Sequence, residues 1–207
     1  MPFAVVMLGG AITLAYALFA FAPASVRAGV FDRFALAPAR YDPGSPYHFT
    51  TWDEAVLPLI GHVFLHGGWL HLLMNMIAYF QAAPFVGWRM GSVRFLMLFF
   101  LAALGGAGTY ILINPHSALP AVGASGAICG VFGAYFLAVR PSPRDALADP
   151  RVRNAIVSFL GINVVLMGVL AAAHVLPIAW EAHLGGFIVG ALAYPILTPR
   201  RRAGPWG

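Results

Sequence analysis

Apolar residues gather in six long runs, at about 3–22, 70–87, 93–113, 122–139, 154–173 and 181–198. Each approaches the length of about 20 residues with which a helix crosses the hydrocarbon of a bilayer. Polar punctuation separates them: Asn114-Pro115-His116 after the third, Arg140-Pro141-Ser142-Pro143 after the fourth, and Thr198-Pro199 after the sixth. Proline cannot continue a helix and biases the residue before it toward extended backbone, so these are stop signals. The pattern predicts six transmembrane helices.

Between the first two runs lies a long first loop, roughly 23–69, with prolines at 23, 38, 43, 46 and 58. Its second half, Trp52 to Trp69, is too apolar for a free loop. Irregular backbone facing lipid would leave its polar groups unpaired, so this part is expected in the membrane interface or folded against the bundle. The first run has an apolar core and a small-residue end, Ala22-Pro23-Ala24, as a signal peptide does. It lacks a basic leader and is longer than a typical signal core, so it reads as a retained helix.

Composition agrees with the pattern. Of 207 residues, 60% are hydrophobic and 9% charged, against about 25% charged in an average soluble domain. No stretch is polar enough for a separate soluble module, and residues 1–207 read as one membrane domain. The formal charge is +5, carried entirely by arginine with no lysine. A basic balance of this kind in a soluble chain would raise nucleic-acid binding; here arginines at helix ends set topology, and no nucleic-acid partner is expected. The lysine-free usage rich in Ala, Arg, Gly and Pro hints at a GC-rich bacterial genome. Cys129 is the single cysteine, so no disulfide forms within the chain.

The arginines divide unequally between the two sides. With the N-terminus inside, the inner connections hold Arg89, Arg94, Arg140, Arg144, Arg151, Arg153, Arg200, Arg201 and Arg202, and the outer ones hold Arg27, Arg33 and Arg40. The excess of positive charge on the cytoplasmic side then places both termini in the cytoplasm. The second, fourth and sixth helices all start at the outer face. His71, Ser125 and His183 lie near those three starts, which at about 1.5 Å of rise per residue puts them at one depth.

That coincidence carries the candidate chemistry. Ser125 sits in Gly123-Ala124-Ser125-Gly126 and His183 in Ala182-His183-Leu184-Gly185-Gly186. A serine hydroxyl becomes a nucleophile when a base takes its proton, and histidine is the usual base. Gly126 with Gly130, and Gly186 with Gly190, form small-xxx-small faces that let two helices approach closely. His71 and Asn75, four residues apart on one helix face, are donors suited to an oxyanion hole, with the Ser125 amide as a third. The seven acids are Asp32, Asp42, Asp53, Glu54, Asp145, Asp149 and Glu181. Glu181, two residues before His183, lies on the wrong face to touch it, so the expectation is a Ser–His dyad.

These motifs resemble the rhomboid family of intramembrane serine proteases over roughly residues 52–198. They are His66-Gly67-Gly68-Trp69-Leu70-His71-Leu72-Leu73-Met74-Asn75, then Gly123-Ala124-Ser125-Gly126, then Ala182-His183-Leu184-Gly185-Gly186 with Gly190. The resemblance implies an all-α, six-transmembrane-helix rhomboid-like bundle of the bacterial type, with a water-accessible site below the outer surface. It implies Ser125 as nucleophile, His183 as base, and His71 and Asn75 with backbone amides as transition-state stabilisers; His66 matches a histidine taken as structural. It implies an integral protein of the bacterial inner membrane that cleaves helix-destabilised transmembrane segments of other membrane proteins, without cofactor or metal. It also suggests side entry of substrate near the fifth helix and the loop before the sixth, and Gly161 and Gly168 could loosen the fifth helix. The chain departs from the family in three places: Leu57-Pro58 where many members carry Trp-Arg, Gly87 where many carry glutamate, and Cys129 where an aromatic often stacks on the base.

Three other functions compete. An inactive relative that escorts membrane proteins typically loses the serine or the histidine, and both are present. A haem or metal protein is invited by seven histidines, but His48, His62, His66, His116 and His174 fall in loops or interfaces and no His-Glu-x-x-His spacing occurs. A transporter would want intramembrane charges or repeated broken helices.

Overall fold

All six apolar runs are helical in the computed structural model, which describes residues 1–175 and 178–198. They correspond to α1 (Phe3–Phe21), α4 (Trp69–Met90), α5 (Ser92–Ile113), α6 (Ser125–Ala138), a fifth stretch, Pro150–Ala172, and α10 (Trp180–Leu197). After a short α7 (Pro143–Ala148), the fifth stretch is α8 (Pro150–Leu160), a π turn (Gly161–Leu166) and α9 (Met167–Ala172) in continuous succession. By length and apolarity, Phe3–Phe21, Ser92–Ile113 and Pro150–Ala172 can each cross a bilayer alone. Residues 176–177 and 199–207, among them Pro199 and Arg200 to Arg202, lie outside the described residues.

The first loop is more ordered than its prolines imply. It holds α2 (Ala24–Phe34), a 3₁₀ turn (Pro38–Tyr41), α3 (Trp52–Gly61) and a second 3₁₀ turn (His62–Phe64). The expectation that 52–69 folds against the bundle matches α3, whose Leu59 packs against a cluster of Leu36 with Ala107 and Tyr110 of α5. Helix α2 was not expected. Pro23 caps it and Phe31 closes it through the Ala35 amide, so the flanking prolines bound a helix rather than break one. The fourth run starts later than its apolarity indicates: residues 122–124 are loop, and the helix begins at Ser125.

Packing centres on α6, where Gly126 to Val131, Gly133, Ala134 and Phe136 to Ala138 are buried. Its neighbour α10 meets it through backbone rather than side chains. A methyl group on Gly186 would run into the Gly126 carbonyl, and one on Gly190 into the Gly130 carbonyl. A Cβ on Gly106 would lie 2.8 Å from the Ala182 carbonyl oxygen, and one on Gly126 3.0 Å from the same atom. This is small-residue packing, in which helices approach until carbonyls touch the facing backbone. On the other side, α1 and α4 are joined by the buried Tyr79, whose hydroxyl donates to the Val5 carbonyl at 2.9 Å. Gly87, where the resemblance leads one to expect glutamate, faces Val5 and Pro2, and a side chain there would displace α1.

The outer surface is apolar. Leu14, Leu18, Leu70, Leu112, Val157, Leu192 and Ile196 are all exposed. Soluble monomers rarely expose contiguous apolar patches above a few hundred Å², so this surface fits lipid. Charged contacts stay at the ends. Arg140 donates through Nε to Asp149 at 2.8 Å, and Asp149 also accepts from the Arg151 amide at the start of α8. In the loops, the Gly44 amide and then His116 hold the Asp42 carboxyl below its ordinary pKa.

The α6–α10 seam predicts an asymmetric response to added methyl groups. Gly190→Ala should cost about 1–3 kcal/mol as an overpacking change. Gly10→Ala, where nothing lies within 4 Å of the added carbon, should leave stability unchanged. Thermal unfolding in detergent checks both.

Candidate active site

Ser125 is the first residue of α6 and His183 the fourth of α10. The glycine seam brings the two helix starts together, and His183 Nε2 lies 2.9 Å from Ser125 Oγ. Both side chains are half-buried, shielded yet reachable. With the imidazole neutral and its proton on Nδ1, Nε2 accepts the hydroxyl proton of Ser125; the tautomer is set by the partner of the other nitrogen. That partner is the main-chain carbonyl of Asn163, 3.0 Å from Nδ1, in the π turn.

The loop before Ser125 is pinned from two sides. Leu36 and Ala121 form the one isolated β-bridge among the described residues. The Gly123 amide donates to the His62 carbonyl at 2.9 Å. Gly123 then turns into the helix at a φ of 118°, a region favourable only to glycine. Its missing side chain also makes room for His71, since a Cβ there would lie 2.9 Å from His71 Cε1 and 3.0 Å from Nε2. So the His71 ring rests on the backbone two residues before Ser125.

His71 and Asn75 occupy one face of α4, as the spacing predicts. His71 Nδ1 accepts from the Gly67 amide at 3.2 Å, leaving Nε2 on the Gly123 side. Asn75 is buried and donates one amide hydrogen to the His71 carbonyl at 2.9 Å. Its second hydrogen is uncommitted, while Asn75 Oδ1 is buried without a partner. His66 packs edge-on to both Tyr16 and His71, with ring centroids 5.7 and 5.1 Å away. It belongs to the wall of the site.

Glu181 does not reach His183. It is buried and accepts from Asn114 at the end of α5, at 2.9 Å, so it ties α5 to the start of α10. Cys129 is buried in the α6 packing. Aromatic packing lies further along instead: Phe159 of α8 stacks on Phe187 of α10 and tilts against Phe132 of α6. Among the described residues no cluster of His, Cys, Asp or Glu is placed to hold a metal ion. Asn163 is the site residue that motif reading passes over. Its one signal is a polar side chain inside an apolar run, which in a membrane helix marks an internal contact.

Fold and site together define an integral, multi-pass α-helical membrane protein with a serine–histidine pair at the head of its two most closely packed helices. The chain belongs to the rhomboid family: the Rhomboid domain model matches residues 53–200. It is 32% identical over 139 residues to the putative rhomboid protease YdcA of Bacillus subtilis, a match covering 65% of each chain. It is 26% identical over 147 residues to RHOMBOID-like protein 5 of Arabidopsis thaliana, covering 70% of this chain and 45% of that one. The rhomboid protease GluP of Bacillus subtilis matches at 29% over 145 residues, or 69% of this chain and 25% of GluP. The chain thus spans less than two thirds of the length of these relatives.

The 2.9 Å Ser125–His183 contact has a direct chemical test. A fluorophosphonate probe should label Ser125 in the folded protein, and labelling should vanish in Ser125→Ala and fall at least about 100-fold in His183→Ala. In-gel fluorescence after timed exposure measures both.

Proposed function

We propose that the protein is an intramembrane serine endopeptidase that cleaves transmembrane segments of other membrane proteins through a Ser125–His183 dyad. The observation that carries this reading is the hydrogen bond from Ser125 Oγ to His183 Nε2, with Nδ1 held by a carbonyl instead of a carboxylate. The relatives named as rhomboid proteases support the same reaction class.

Ser125 Oγ attacks the scissile carbonyl while His183 Nε2 takes its proton; the protonated imidazole then gives that proton to the leaving amine. The oxyanion that forms is met by donors from two helices. The Ser125 amide at the start of α6 is one of the four amides per helix without an intrahelical acceptor. Asn75 offers its uncommitted amide hydrogen and His71 its Nε2 from α4. Water then attacks the acyl-enzyme, with His183 as base.

A substrate segment must leave the helical state to present a carbonyl, because an intact helix keeps its carbonyls hydrogen-bonded. Small or helix-destabilising residues near the cut therefore favour cleavage. Pro150–Ala172 fits the role of entry side, since its apolar window contains no buried residue. The bilayer is the bacterial inner membrane, both termini are cytoplasmic, and the site opens toward the outer leaflet. The excess of arginines in the inner connections, nine against three, and the relatives from Bacillus subtilis support that placement.

Three outcomes test the reading. Ser125→Ala should lower cleavage of a model transmembrane substrate in proteoliposomes by on the order of 10⁴-fold or more; unchanged cleavage would mean a binding or escort protein instead. Asn75→Ala should lower kcat by about 10²-fold with little effect on KM, read from initial rates. A covalent cross-link between α4 and the Pro150–Ala172 stretch should abolish cleavage of membrane substrates, and full activity would remove the entry route.

A further inference from the structure

The acceptor for His183 Nδ1 lies in the least ordinary backbone of the molecule. In an α-helix the carbonyl of residue 163 would accept the amide of residue 167. Here the Met167 amide bonds to the carbonyls of Ile162 and Val164 instead. The π register of Gly161–Leu166 therefore frees the Asn163 carbonyl, and it points at His183 Nδ1 from 3.0 Å. Single π turns of this kind concentrate at functional positions because the changed register re-aims backbone groups.

The Asn163 side chain serves the same turn. Its Nδ2 donates to the Phe159 carbonyl, four residues back, at 3.0 Å. That carbonyl lies at the entry to the π turn, where the hydrogen-bond register changes. One residue thus braces the turn with its side chain and presents the freed carbonyl with its backbone. We propose that Asn163 is the positioning residue of the dyad: through the π turn it holds His183 in the Nδ1–H tautomer that leaves Nε2 bare toward Ser125. It occupies the role that a carboxylate fills in a triad, and no carboxylate bonds His183 among the described residues.

The arrangement ties the base to a loosely held helix. Neither α8 nor α9 nor the turn between them buries more than one residue, Val152, near its far end. Outward displacement of this stretch removes the Nδ1 acceptor, so His183 is oriented only while the stretch is docked. The kinetic consequence rests on the protease reading; the tautomer does not.

The test is nitrogen NMR of the full-length protein labelled with 15N-histidine in detergent micelles, with the His183 signals assigned by difference from His183→Ala. The wild-type spectrum should show a single Nδ1–H tautomer. Asn163→Ala and Asn163→Asp remove the donor to the Phe159 carbonyl and should give a mixture of tautomers, with a fall of at least about 10-fold in kcat and in fluorophosphonate labelling, KM being unchanged. Asn163→Ser keeps a short donor that reaches the carbonyl four residues back and should recover most of the loss. A wild-type Nε2–H tautomer overturns the proposal with no variant needed. So does a wild-type tautomer in a folded Asn163→Ala protein, whatever its activity, because the residue would then act through packing alone. An Nδ1–H spectrum in a protein that neither cleaves nor labels leaves the tautomer lock standing and removes the protease reading.

Discussion

The close approach of α6 and α10 is the constraint on which the site depends. Where Gly126 meets Gly186 and Gly130 meets Gly190, backbone touches backbone, and no side chain sets a spacer between the helices. Van der Waals contact at that separation replaces the hydrophobic effect, which does little between two helices already in lipid. The same contact sets the position of the first turn of each helix. Ser125 and His183 sit in those turns, so their 2.9 Å separation is a consequence of glycine packing one turn further in. A site built on rigid helix starts loses little precision to loop motion.

Around that seam the other elements divide the work. Helix α5 holds the back of α10 through Gly105, Gly106 and the Asn114–Glu181 bond. Helix α4 carries His71 and Asn75 to the loop before Ser125, and Gly123 allows the ring to lie against that loop. The first loop supplies two backbone anchors, the Leu36–Ala121 bridge and the His62 carbonyl. Ser125 is thus braced by several elements, while His183 depends on two, α10 and the π turn. The missing aromatic at Cys129 matters less in this light, because His183 is oriented by a hydrogen bond through Nδ1 rather than by stacking.

Much of this architecture is legible in the chain. Apolar runs of bilayer length and proline-marked ends delimit the helices, because lipid tolerates little else. The helix-start positions of His71, Ser125 and His183 follow from counting along those runs. Glu181 was separated from His183 by the same helical geometry that sends it to Asn114. Two features escape such counting. Helix α2 is of mixed polarity without a sided pattern, has no buried residue and lies between prolines, so neither apolar length nor periodicity marks it. The π turn has no sequence code at all; Gly161 hints at loosened backbone but not at a changed register.

What the sequence alone determined is an all-helical membrane chain whose candidate nucleophile, base and donors share one depth. Depth is a one-dimensional property, set by hydropathy and rise per residue, and a linear sequence suffices for it. Contact is three-dimensional. Tertiary structure decided that Ser125 and His183 bond, that Asn75 spends one hydrogen on the His71 carbonyl, and that the imidazole is held by the carbonyl of Asn163. Backbone carbonyls are identical in every residue, so their role as acceptors is invisible until the fold shows which one has been released from its helix.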